Sequence, residues 1–131
     1  MTANYYRELE KSTACSEKDS ELYFRGFVQK YLLKDKKKRW VDLLIKRSKK
    51  LFKESHKLNS SLDKYKCTML REVPLSSSKQ KVLFFDFIDK PVWLEEKIAL
   101  RIAENKEILV LADEGKRAYL FSHDGGCWEC K

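Results

Sequence analysis

Lys46, Lys50, Lys53 and Lys57 recur at i, i+4, i+7 and i+11, the spacing that stacks side chains on one face of an α-helix. A ridge of ammonium groups neutralises several phosphates together and displaces their counterions, so it binds nucleic acid without reading its sequence. Turning each residue through about 100 degrees brings Lys38, Arg39 and Lys49 to the same side. The candidate anion-binding set is therefore Lys38, Arg39, Lys46, Lys49, Lys50, Lys53 and Lys57. Trp40, Leu44, Leu51 and Leu58 stack opposite them, flanked by Val41, Leu43, Ile45 and Phe52, as a core-facing stripe would. On one straight helix the basic stripe from Arg39 to Lys57 would run about 27 Å, enough to follow several phosphates. Lysine dominates over the Arg, Asn and Gln that read base edges, so the chemistry is backbone contact.

The surrounding charge is concentrated. Between Lys34 and Lys57 there are eleven Lys and Arg against three acids, a surplus equal to the net charge of +8 for the whole chain. The rest of the sequence is electrically balanced. One anionic partner for one segment is the simplest implication, and both nucleic acid and an acidic protein surface satisfy it. The pattern also matches calmodulin targets and membrane-surface helices, but here the apolar side is needed by the domain's own core.

A second constellation is His123-x-x-x-Cys127-x-x-Cys130. Two thiolates three positions apart can hold one metal from a tight turn, with His123 as a third ligand. A fourth would have to come from Cys67, Cys15 or His56. Zinc is the only cofactor this spacing suggests. Without it the chain needs no cofactor and the cysteines are idle thiols. A thioredoxin-like role is disfavoured because the pair does not open a helix that would lower its thiol pKa.

A third is Asp86 with Glu95-x-Lys97, the acid and acid-x-lysine arrangement that metal-dependent nucleases use to hold a divalent ion and activate water. It works only if residues 92–102 form a strand, because a helix turns Glu95 and Lys97 apart. A surface acid and lysine on a helix is the plainer interpretation. There is no phosphate-binding glycine loop, no nucleophile with a local triad signature and no RNA-recognition aromatic motif.

The elements that must carry these residues divide the chain in two. A short helix is expected over about Asn4 to Ala14, and Ser16 with Asp19 forms a capping pattern that opens a second helix. There Phe24, Phe27, Val28, Tyr31 and Leu32 recur at helical spacing. A third helix is expected from near Asp35 to about Leu62. A short strand at Lys66 to Leu70 and a dense aromatic strand at Val82 to Ile88 follow. Trp93 to Asn105 is rich in helix formers, yet Val92, Leu94, Ile98, Leu100 and Ile102 also alternate as a strand would; composition favours the helix. Glu107 to Ala112 and Arg117 to Ser122 flank Asp113, Glu114, Gly115 and Lys116, a hairpin signal.

The 131 residues match one compact domain, with 43% apolar residues for a core and 37% charged residues for its surface. The first twenty residues contain Glu8, Glu10, Glu17 and Asp19 and no signal-peptide core. The longest apolar run, Ile108 to Ala112, is far too short to span a bilayer. Four cysteines in a chain with no secretion signal suggest thiols or metal ligands and a cytoplasmic or otherwise intracellular setting. The expectation is thus a single α+β domain. Its helical part, residues 1–65 with about three helices, packs against a small, mainly antiparallel sheet in residues 66–131 that has one further helix. Its expected work is non-catalytic binding of a polyanion, nucleic acid first. An inhibitor, immunity-type or adaptor protein for an acidic protein surface is the alternative, with the metal-dependent nuclease behind both.

Overall fold

The computed structural model describes residues 2–46 and 48–131. Helix α1 (Thr2–Lys11) and a two-residue strand β1 (Thr13–Ala14) precede α2 (Glu17–Tyr31). Ser16 caps α2 as its spacing from Asp19 predicts, its hydroxyl accepting the Asp19 N–H at 3.0 Å. A 3₁₀ turn leads into α3 (Lys37–Lys46), followed by the single turn α4 (Leu51–Glu54) and two further 3₁₀ turns at Ser55–Lys57 and Asn59–Ser61. The second half holds β2 (Cys67–Leu70), β3 (Lys81–Phe85), β4 (Val92–Glu95), α5 (Glu96–Ile102), β5 (Ile108–Ala112), β6 (Arg117–Phe121) and β7 (Cys127–Cys130).

The strands form one seven-stranded sheet in the order β1-β4-β3-β5-β6-β7-β2, with every neighbouring pair antiparallel. Side chains alternate between its faces. Leu83, Phe85, Leu109, Leu111 and Leu120 share one core with Phe24, Phe27, Trp40, Leu44, Leu51 and Leu58. Val82, Phe84, Val110 and Phe121 share the other with Tyr5, Ala99, Leu100 and Ile102. Both faces are covered, so β5 is buried along its whole length and reads as an unbroken apolar run. The chain is α+β, with its helices mostly N-terminal, but the layout differs from two segregated halves. Helix α1 covers the face opposite α2 and α3, and β1 contributes an edge strand from within the helical half. Among the described residues no helix is long and apolar enough to cross a membrane.

The expected third helix is not continuous. It stops at Lys46, and α4 starts anew at Leu51, whose N–H bonds to the Ser48 carbonyl at 2.9 Å. Trp40, Leu44, Leu51 and Leu58 are nevertheless all buried, because the chain folds back on itself. The Trp40 indole N–H donates to the Ser61 hydroxyl at 2.9 Å. On a straight helix those residues would be about 31 Å apart. The helix expected over Trp93 to Asn105 holds only for Glu96–Ile102, where α5 buries Ala99, Leu100 and Ile102; Val92–Glu95 is strand β4, and the strand alternation does not extend to Ile98, Leu100 and Ile102.

Candidate functional site

The fold-back converts the expected basic stripe into a compact patch. Arg39, near the start of α3, reaches Glu54, the last residue of α4, at 3.2 Å. These would be about 22 Å apart along one helix. Lys57 pairs with the same carboxylate at 3.1 Å. The hydrogen bond from Lys57, with further help from its charge and from Arg39, holds the Glu54 carboxyl below its ordinary range despite the opposing effect of desolvation. The 27 Å ridge is thereby overturned. The core pulls Leu51 and Leu58 back toward Trp40, and that requires a chain reversal.

All seven candidate cations, Lys38, Arg39, Lys46, Lys49, Lys50, Lys53 and Lys57, are exposed. Lys38, Arg39, Lys46 and Lys50 line one open concavity of about 590 Å³ together with Asp35, Asp42, Leu43 and Ser48. Lys46 lies 3.8 Å from Asp42, a loose i, i+4 pair. Lys38, Lys49, Lys50 and Lys53 have no carboxylate partner among the described residues. Unpartnered ammonium groups keep mobile counterions, and releasing those ions is what favours polyanion binding.

The proposed metal ligands do not converge. Cys127 and Cys130 are three apart on strand β7, an odd spacing that sends them to opposite faces of the sheet. Cys127 lies in the core with Phe121 and Leu100, and Cys130 in the core with Tyr31 and Trp40. Burial first, then the nearby Glu129, pushes the Cys127 thiol up to about 12, so it is not a ready thiolate. His123 is exposed on the preceding turn, with Nδ1 2.5 Å from the Glu107 carboxylate, a contact that raises its pKa. Among the described residues no three His, Cys, Asp or Glu side chains are grouped to hold a metal ion. His123, Cys127 and Cys130 are not brought together, because a strand, not a tight turn, carries the two cysteines.

The nuclease-like trio is dispersed as well. Glu95 pairs with Lys81 at the start of β3, whereas Asp86 lies just past its end, about 17 Å away at strand rise. Asp86 is occupied in capping the turn, its Oδ1 accepting the Ile88 and Asp89 N–H groups at 3.0 and 2.9 Å. Lys97 belongs to α5, where it no longer shares a strand with Glu95.

Two arrangements escape sequence reasoning. Glu96 is buried, 5% exposed, and accepts from Arg117 at 2.7 Å and from the Ser76 hydroxyl at 2.8 Å. Arg117 also bonds Asp113 at 3.0 Å, and Gln80 donates to the same carboxylate at 2.8 Å. Gln80 first, then Arg117, holds Asp113 below its usual range. The second is the pairing of Cys67 with Cys130 directly across β2 and β7. Apart from the Asp113–Arg117 pair, neither has a local signature, because their contacts join residues distant in sequence. Comparison of the chain with protein-family models, with curated proteins and with solved structures gives no match, so the geometry of the patch alone has to carry a functional conclusion.

Proposed function

We propose that this chain is a non-catalytic binding module whose patch of Lys38, Arg39, Lys46, Lys49, Lys50, Lys53 and Lys57 engages a polyanion, and that nucleic acid is that polyanion. The supporting observation is the set of exposed ammonium groups on Lys38, Lys49, Lys50 and Lys53, which have no carboxylate partner among the described residues, in the segment that holds the net charge surplus. Contacts of this kind are made to phosphates and are indifferent to base sequence. The contact is short. A folded-back patch touches a few phosphates at one place on the strand instead of tracking along it.

That compactness favours a second reading, an inhibitor, immunity-type or adaptor protein whose target presents a cluster of carboxylates. A pull-down from lysate with and without nuclease treatment separates the two, followed by binding of the purified chain to unrelated oligonucleotides over a range of salt. The nucleic-acid reading predicts capture that nuclease abolishes, similar affinity for unrelated sequences and a steep loss on adding salt. A stoichiometric protein partner that survives nuclease, with no oligonucleotide binding at low salt, would overturn it in favour of the second.

A further inference from the structure

We propose that Cys67 and Cys130 are a dithiol site that closes to a reversible disulfide by exchange with a small-molecule disulfide, stapling edge strand β2 to β7. The proposal is independent of the binding function above. In the antiparallel ladder Cys67 faces Cys130, Thr68 faces Glu129, Met69 faces Trp128 and Leu70 faces Cys127. Residues directly opposite in such a pair have Cα atoms roughly 4.5–5.5 Å apart, within the span a disulfide bridges. The two sulfurs are 2.8 Å apart, with the Cys130 thiol donating to Cys67. With the two sulfurs already facing each other across the ladder, closure asks only for side-chain rotations. Among the described residues Cys15 and Cys127 have no such neighbour: Cys15 lies beside β1 at the far edge of the sheet, and Cys127 is on the opposite face from Cys130.

The surroundings assign an order of events. Cys67 opens an edge strand and is 5% exposed, while Cys130 is 0% exposed, so Cys67 meets the reagent first. The hydrogen bond from Cys130, and after it the charge of Lys64, lowers the Cys67 pKa against the cost of burial. Lys64 is held close by, with its ammonium 3.8 Å from the centre of the Trp128 ring. The Cys67 thiolate attacks one sulfur of the small disulfide, whose S–S bond breaks; one thiolate leaves and takes up a proton. Cys130 then gives up its proton and attacks the Cys67 sulfur, expelling the second small thiolate, which is protonated in turn. Two protein thiols are oxidised and one small disulfide is reduced to two thiols. The new bond joins residues 63 apart in sequence, a long loop whose closure restricts the unfolded chain.

The test uses the full chain, reduced and then incubated with glutathione disulfide. Intact mass, peptide mapping without reduction, and thermal unfolding before and after adding reductant are the readouts. The expected product has lost two hydrogens, retains two free thiols and yields one linked pair of peptides bearing Cys67 and Cys130. Its Tm rises by on the order of 10 °C, and reductant reverses the rise. The Cys15→Ser, Cys127→Ser double variant should behave identically, and Cys67→Ser should not close. Because the unaltered chain carries the main result, a variant that fails to fold leaves the test intact. Four unreacted thiols, a stalled mixed disulfide, a link through Cys15 or Cys127, or a closed bond with unchanged Tm would each overturn the proposal.

Discussion

At the scale of single residues, the Glu96 carboxylate is a charged group buried against the sheet and held by Arg117 and Ser76. A buried charge is tolerated only when paired and hydrogen-bonded, and removing one partner exposes the other to the full desolvation penalty. Arg117→Ala should therefore destabilise the chain by about 2–3 kcal/mol, below the cost for a fully buried pair because Arg117 retains some contact with water. The double variant Glu96→Gln, Arg117→Met should recover much of that loss. Urea unfolding of the single and double variants measures the difference. Equal losses in both would mean that packing around Arg117, and not its charge, is what matters. The network also shows how little of the residue scale is legible beforehand. Glu96, Asp113 and Arg117 are ordinary surface types in sequence, and only the packing of α5 against β3 and β4 makes the first of them buried.

At the scale of elements, α2 and the β5–β6 turn meet backbone to backbone. A Cβ added at Gly26 would lie 2.1 Å from the Glu114 carbonyl oxygen, and Gly115 takes a φ of 86° where its own Cβ would meet the Tyr23 carbonyl at 2.2 Å. Neither neighbour is a flexible side-chain end, so Gly26→Ala must push the helix off the turn. We expect a loss of about 3 kcal/mol by thermal or denaturant unfolding, against the gain that glycine-to-alanine ordinarily brings inside a helix. A neutral or stabilising Gly26→Ala would show that α2 and the turn can separate freely. Much of the element scale was legible: the Ser16 cap, the apolar face of α2, the Asp113–Lys116 hairpin turn and the burial of Trp40, Leu44, Leu51 and Leu58 all follow from spacing. The break after Lys46 was not, although its causes are visible in retrospect. Lys46, Lys49, Lys50, Lys53 and Lys57 repel one another at i+3 and i+4, and Ser48 offers its hydroxyl to the Lys50 N–H at 3.2 Å, the local bond by which serine competes with helix. Period alone cannot distinguish one long amphipathic helix from two short ones that fold the same face onto a shared core. The placement of Cys127 and Cys130 on opposite faces was not legible for a related reason. Cys-x-x-Cys brings sulfurs together on a turn but separates them on a strand, and the apolar residues that make β7 a strand lie in its partners β6 and β2.

At the scale of the whole molecule, the central claim is that charge is deployed at one place and used there. The chain reversal between α3 and α4 is bridged by Glu54, which pairs with Arg39 and Lys57, and Lys38, Arg39, Lys46 and Lys50 line an open concavity beside it. Exposed lysines contribute little to stability, so replacing them separates binding from folding. The direct measurement is the salt dependence of oligonucleotide binding for two variants of equal net charge. One is Lys38→Ala, Lys46→Ala, Lys50→Ala, which strips the concavity; the other is Lys11→Ala, Lys79→Ala, Lys97→Ala, which removes exposed lysines outside the segment. Both should unfold at the temperature of the unaltered chain. The first should bind at least tenfold more weakly and lose about 0.9 from the slope of log affinity against log salt for each duplex phosphate contact removed. The second should keep nearly the parent affinity and slope. If the two variants weaken binding equally, or if neither does, the patch is a solvated surface and the account of it as a polyanion site is contradicted.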